Sequence, residues 1–192
     1  GTIAIFLIVY SDIFLEIWTQ DPTLANDVSP LLKLILIGNL INSLMFIPYQ
    51  MQLAYGWTKL TIYVNSISVL ILVPSIILIT PLYGASGAAS IWVVLNLGYL
   101  TFGIYFMHKK ILETERWRWY FYDLILPLGS AFLVCKTIAV LWQTSENEVI
   151  IFIKLIVSFL ISIGISVMFS VGIRNSVINV IFNIFNVAKK NN

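Results

Sequence analysis

The chain contains very little charge. Charged side chains make up 10% of its 192 residues and hydrophobic side chains make up 59%. A soluble domain carries roughly 25% charged residues, so this sequence cannot form an ordinary water-facing surface. The mean hydropathy is +0.94. The composition therefore predicts a protein that lies within a lipid bilayer.

Residue types that carry enzymatic chemistry are also scarce. The one cysteine, Cys135, lies in an apolar run. No intrachain disulfide can therefore form, and we expect a buried, inert thiol. The one histidine, His108, precedes two lysines at a predicted helix end, so we expect it at the membrane interface. The sequence has no His/Cys cluster, no P-loop and no Asp-x-Asp motif. It predicts no catalytic residues, no metal site, no cofactor and no enzymatic activity.

What the sequence does have is a series of long apolar runs without the alternation of barrel strands, which favours membrane-spanning helices. We predict an all-α, polytopic membrane helix bundle in which residues 1–192 form a single membrane domain. A span needs about 20 apolar residues. The predicted spans lie near 2–18, 31–53, 60–82, 87–107, 121–142 and 149–173.

The ends of the chain give two further expectations. The first residues are apolar, with neither methionine nor a basic segment, so we expect a piece cut from a longer membrane protein. In the tail at 174–192, asparagines recur at helical spacing between apolar residues, and lysines follow. This pattern favours an amphipathic helix in the membrane interface; a frayed extension of the last span is the alternative.

Basic residues are distributed unevenly between the two sides of the predicted bundle. Eight of them fall in alternate connectors or the tail on one side, and none falls on the other side. By the positive-inside rule the basic side is cytoplasmic, which places both ends of the chain there. Basic residues beside spans suit anionic lipid, so we expect membrane lipids and no nucleic acid as partners. The eight residues are Lys59, Lys109, Lys110, Arg116, Arg118, Arg174, Lys189 and Lys190.

Polar residues within the spans mark the helix faces that look inward. Carboxamides occur on three successive spans, and they fit two interpretations, hydrogen-bonded contacts between helices or the lining of a hydrated cavity. Pro48 and Pro74 predict kinks. Serines on the last span recur at four-residue steps, so we expect their row to spiral around that helix. The carboxamides are Asn39, Asn42, Gln50, Asn65 and Asn96.

Ionisable residues within spans are costly, and their default interpretation is functional. Glu16 and Lys33 lie at adjoining ends of successive spans and are predicted to pair. Asp12 is a candidate for binding a proton or a sodium ion, and Lys136 for meeting an anionic headgroup. Lys154 suits snorkelling. We predict ion coupling at Asp12 and Glu16, and substrate binding at Lys33, Asn39, Asn42, Gln50, Asn65, Asn96 and Lys136.

Several segments between about residues 10 and 125 resemble, in order and spacing, the C-terminal part of Wzx-type O-antigen flippases. These belong to the polysaccharide-transporter branch of the MATE-like (MOP) exporters. The last two spans match only in hydropathy. The segments are 15–21 (LEIWTQD), 36–43 (LIGNLINS), 47–59 (IPYQMQLAYGWTK), 83–89 (YGASGAA), 91–99 (IWVVLNLGY) and 115–123 (ERWRWYFYD).

The resemblance implies a transporter of 12–14 helices in two lobes, of which this chain would be the C-terminal part. It implies a multi-pass protein of the bacterial inner membrane that flips an undecaprenyl-diphosphate-linked oligosaccharide by alternating access, for O-antigen or other surface polysaccharide. A polysaccharide polymerase and a chain-length regulator are then the candidate partners.

Three alternatives stay open. A MATE-type multidrug or cation antiporter would need acidic groups to bind its cations. The excess of lysine over acidic residues deep within the spans argues against this alternative. A membrane glycan polymerase or glycosyltransferase would need a large catalytic loop, and the longest non-cytoplasmic connector here is 19–30. An inert membrane scaffold would tolerate leucine in place of the carboxamides.

Overall fold

The computed structural model describes residues 1–111, 116–141 and 148–170. Helices account for 94% of these residues, and no strand occurs among them, so the predicted all-α class is confirmed. The predicted interfacial helix at 174–192 lies outside the described residues. The chain divides into two compact units, one of Gly1 with Tyr10–Arg116 and the other of Thr2–Val9 with Trp117–Asn192.

The helices follow one another with short breaks. In chain order they are α1 (Thr2–Val9), α2 (Ser11–Thr19), α3 (Pro22–Leu44), α4 (Phe46–Ala54), α5 (Lys59–Gly98), a π-helical turn (Tyr99–Gly103), α6 (Ile104–Ile111), α7 (Arg116–Arg118), a second π-helical segment (Trp119–Ile125), α8 (Leu126–Leu141) and α9 (Glu148–Phe169).

The described helices are those of a multi-pass membrane protein. Four of them are long and apolar enough to cross a bilayer, namely Pro22–Ala54, Lys59–Ile111, Trp119–Leu141 and Val149–Phe169. A fifth crossing results if the bent pair α1 and α2 forms one span. The predicted first span is therefore broken in the structure, at Tyr10, whose φ of −107° and ψ of 16° are not helical.

Most of the predicted connector at 19–30 is helical, because α3 begins at Pro22. The carboxylate of Asp21 accepts hydrogen bonds from the backbone N–H groups of Thr23 and Leu24, at 2.9 and 3.2 Å. Pro22 at the first helical position needs no such partner. This cap starts the helix about two turns before the apolar run that the sequence emphasises.

The helix is interrupted near Pro48, at Met45 between α3 and α4. Proline lacks an N–H group, and its ring crowds the carbonyl four residues earlier, which here belongs to Leu44. At Pro74, the second proline predicted to kink a helix, the helix is not interrupted. The backbone φ/ψ values stay helical from Lys59 to Tyr83.

Gly84 divides the 53-residue apolar segment Lys59–Ile111 into two legs. Its φ of 62° and ψ of −151° are open essentially to glycine alone. The legs fold back on each other, and the Tyr99 hydroxyl on the second leg donates a hydrogen bond to Asn65 Oδ1 on the first, at 3.0 Å. Each leg has roughly 25 residues, enough to cross the hydrocarbon core, as the predicted spans at 60–82 and 87–107 require.

In the second unit, α1, α8 and α9 pack through small side chains. Ala131 and Cys135 on α8 are fully buried, and so are Ser158 and Ser162 on α9. Ser166 and Ser170, the later members of the predicted serine row, are buried as well. Small residues allow close approach of helix backbones, so this row is a packing seam.

His108, in the last turn of α6, is buried within the protein. It is 2% exposed, and its Nδ1 lies 3.1 Å from the carbonyl oxygen of Ile104. The neighbouring Lys110 does lie at a surface, with its ammonium 4.1 Å from the centroid of the Trp57 ring. Because the two side chains are two residues apart on a helix, they point to different faces.

Candidate functional site

The first unit contains a cavity of about 820 Å³ between the end of α3, α4 and the two legs of α5. This volume is that of a site for a small organic ligand. Most of its lining is apolar, and none of the described residues that line it is Asp, Glu, Lys or Arg. Its polar lining consists of carboxamides, hydroxyls and aromatic groups, including Asn42, Tyr49, Gln52, Thr61, Asn65 and Tyr99.

Asn42 and Asn96 connect α3 to the second leg of α5. Asn42 Nδ2 donates a hydrogen bond to Asn96 Oδ1 at 2.8 Å, and Asn96 Nδ2 donates to the carbonyl oxygen of Trp92 at 2.8 Å. Asn96 is fully buried, whereas Asn42 is exposed and lines the cavity. Asn96 therefore positions Asn42, and Asn42 is the member of the pair that a ligand can reach.

Asn39 lies one turn earlier on α3 and makes a second contact with α5. The Trp92 Nε1–H donates to Asn39 Oδ1 at 3.1 Å. The indole lies over Gly38, where an added Cβ would come 2.4 Å from Trp92 Cδ1. Glycine thus permits the close approach of the two helices. Asn39 itself is not part of the cavity lining.

Asn65 and Gln52 face the cavity from α5 and α4. Asn65 accepts the Tyr99 hydroxyl through Oδ1 and keeps its two amide N–H donors. The Thr61 hydroxyl donates to Gln52 Oε1 at 2.8 Å. Thr61 and Asn65 are four residues apart, so they lie on one face of the helix. Both of the interpretations of the carboxamides apply here, because the same groups join helices and line the cavity.

Gln50 does not line the cavity. It is exposed on α4, whereas Gln52 is 6% exposed and faces inward. Two residues on a helix are separated by about 200°, so the two glutamines point to opposite sides. Sequence reasoning missed Gln52 because the break at Met45 resets the face that α4 turns inward.

Asp12 and Lys33 form an ion pair between α2 and α3. The Lys33 ammonium donates to both carboxylate oxygens of Asp12, at 2.7 and 3.0 Å. The Ser29 hydroxyl donates to the same carboxylate. The predicted pairing of Lys33 with Glu16 is wrong. Glu16 lies one turn beyond Asp12 on α2 and is exposed.

The remaining predicted residues are not brought to the cavity. Lys33 precedes Asn42 by nine residues, about 14 Å along the helix, and it is not in the lining. Lys136 is exposed on α8, in the second unit. Within the described ranges, no group of three or more His, Cys, Asp or Glu could hold a metal ion.

Comparison with known proteins gives one match. The MatE family model matches residues 1–78, which contain α1 to α4 and the first half of α5. No curated protein and no solved structure matches the chain. Over residues 1–78, less than half of its length, the chain is similar to the MatE family of membrane transporters, and its long apolar helices are those of a multi-pass membrane protein.

Proposed function

We propose that this chain is the C-terminal part of a flippase that moves an undecaprenyl-diphosphate-linked oligosaccharide across the bacterial inner membrane by alternating access. The observation that carries the proposal is a cavity of about 820 Å³ among helices long and apolar enough to cross a membrane. Its described lining contains three carboxamides, Asn42, Gln52 and Asn65, and no charged side chain. Its exposed amides, Asn42 and Asn65, retain hydrogen-bonding capacity that would replace water around sugar hydroxyls.

The cavity lining bears on the choice between a sugar and a cation. A desolvated cation requires a compensating negative charge or an aromatic face. Aromatic side chains line this cavity, and no carboxylate does among the described residues. The lack of a carboxylate counts against a MATE-type multidrug or cation antiporter, and aromatic rings beside carboxamides also suit a sugar ring with its hydroxyls.

The charged residues have their proposed roles outside the cavity. Lys33 or Lys136 would meet the diphosphate, and Asp12 or Glu16 would couple transport to a proton or a sodium ion. Of these, Lys33 and Asp12 are in contact. In this proposal the sugar and the diphosphate occupy different places, as the length of a lipid-linked oligosaccharide allows.

The test compares Asn65→Leu with Asn39→Leu in the full-length protein, in cells that lack their native flippase. Both asparagines are exposed and accept one hydrogen bond from an aromatic side chain, but only Asn65 lines the cavity. We expect Asn65→Leu to reduce surface polysaccharide at least about fivefold more than Asn39→Leu at equal expression, because each lost amide contact is worth about 1 kcal/mol or more. Equal polysaccharide in the two strains would refute the role of the cavity.

A further inference from the structure

We propose that Asp12 masks Lys33 as a site for anionic lipid, so that the carboxylate and a lipid diphosphate compete for the same ammonium. This rests on the proposed function, and it joins two roles, ion coupling and substrate binding, in one pair of side chains. Protonation of Asp12 would release Lys33, so that a proton and an anionic lipid would bind together.

The geometry makes the two counterions mutually exclusive. A lysine ammonium has three N–H donors, and Asp12 takes two of them through its two carboxylate oxygens. One donor is left for any other ligand. Because phosphate oxygens bind best to several charge-assisted donors at once, a diphosphate can engage Lys33 fully only after Asp12 has left it.

The pair is open to exchange. The side chains of Lys33 and Asp12 are 35% and 50% exposed, so an incoming headgroup and a proton can both reach them. Ser29 donates to Asp12, and the hydroxyls of Ser11 and Ser29 lie 3.2 Å apart. This serine pair can accept and redirect hydrogen bonds when Asp12 takes up a proton, so the carboxyl group keeps a partner in its neutral form.

Among the described residues of α2 and α3, few other ionisable groups face the pair. On α2 these are Glu16, one turn further on, and, just before the helix, the buried Tyr10. On α3, the helix packed against α2, the only other charged residue is Asp27, six residues before Lys33 and exposed. Lys33 is the only basic residue of the candidate span Pro22–Ala54. An unpaired ammonium in this apolar segment would therefore attract an anion strongly.

The experiment measures binding of geranylgeranyl diphosphate to the full-length protein in nanodiscs of neutral lipid, with geranylgeraniol as the probe without the headgroup. Asp12→Asn keeps the size of the side chain and removes its charge. We expect it to bind the diphosphate roughly tenfold more tightly than wild type at about pH 8. Wild type should approach the affinity of the variant as the pH is lowered, because protonation has the same effect as the substitution.

Asp27→Asn is the matched control, because it removes a carboxylate that lies in the same unit but does not contact Lys33. This variant should bind the diphosphate as tightly as wild type. The probe's own ionisation is identical for all variants, so the difference between the two asparagine variants reports the pair alone. The double variant Asp12→Asn/Lys33→Gln removes both charges, so no unpaired ammonium is left to destabilise the folded protein. It should lose the gained affinity.

Two results would overturn the proposal in distinguishable ways. If wild type binds the diphosphate and Asp12→Asn binds it equally well, the exchange is refuted while lipid-diphosphate recognition stands. If neither protein binds the diphosphate better than geranylgeraniol at either pH, both the exchange and the proposed role of Lys33 in the flippase are refuted.

Discussion

Asn42 and Asn96, 54 positions apart in the sequence, meet side chain to side chain at 2.8 Å between α3 and the second leg of α5. The contact fixes the orientation of Asn42 toward the cavity. Interhelical hydrogen bonds in membranes contribute about 0.6 kcal/mol on average. We predict a coupling energy of about this size in a double-mutant cycle of Asn42→Ala and Asn96→Ala, measured by unfolding in detergent. Additive effects would show that the contact does not form in the membrane protein.

The approach of α3 to α5 depends on Gly38. A Cβ at this position would come 2.4 Å from Trp92 Cδ1, so Gly38→Ala forces the indole or the helix to shift. Overpacking of this kind costs about 1–3 kcal/mol, and we predict a corresponding loss of thermal stability. Gly98→Ala is the control, because nothing lies within 4 Å of an added Cβ there. It should be neutral or slightly stabilising, since alanine favours a helix over glycine.

The hairpin of α5 depends on Gly84 through backbone conformation alone. Nothing lies within 4 Å of an added Cβ, but the φ of 62° is unfavourable for any other residue. We predict that Gly84→Ala lowers the free energy of unfolding by about 1–3 kcal/mol. An unchanged unfolding midpoint would show that the two legs are not joined by this turn.

Asp21, at the membrane boundary, gives a pH-dependent prediction. The hydrogen bond from the Thr23 hydroxyl lowers the pKa of Asp21 below 3.8, and the backbone N–H groups of Leu24 and Thr23 act in the same direction. A lowered pKa means that the ionised carboxylate stabilises the folded state above the unfolded-state pKa. This stabilisation is lost as the pH falls through the folded-state value. We predict that Thr23→Val raises the pKa of Asp21, as measured by NMR titration, and that Thr19→Val raises it less.

The sequence was sufficient to predict the all-α class and to single out the polar residues within the helices. It did not predict which residues these polar side chains contact. Lys33 could reach either of two carboxylates one turn apart on α2, and the break at Tyr10 decides which one faces α3. In the same way, the break at Met45 decides between Gln50 and Gln52. Such breaks are set by a few backbone angles that hydropathy does not record. The Asn42–Asn96 contact joins positions too distant in sequence for any local pattern to pair them.

The helical start of α3 shows a related gap. Hydropathy placed the span at 31–53, whereas the structure begins the helix at Pro22. The signal was available, since aspartate followed by proline is a common helix start. It was outweighed by the polar character of residues 23–29, which lie on a helix that extends beyond the apolar run.

The most direct test of the central claim asks whether the cavity contains water in the membrane. Cysteine is placed at Ser43, in the cavity lining, or at Leu70, which is 73% exposed and lines neither the cavity nor the apolar groove between the legs of α5. The background variant carries Cys135→Ser, and whole cells are treated with a small, water-soluble thiol reagent. We predict that the cysteine at position 43 reacts, that the one at position 70 does not, and that lipid-linked oligosaccharide slows the reaction at position 43. Equal protection of both positions would contradict the account.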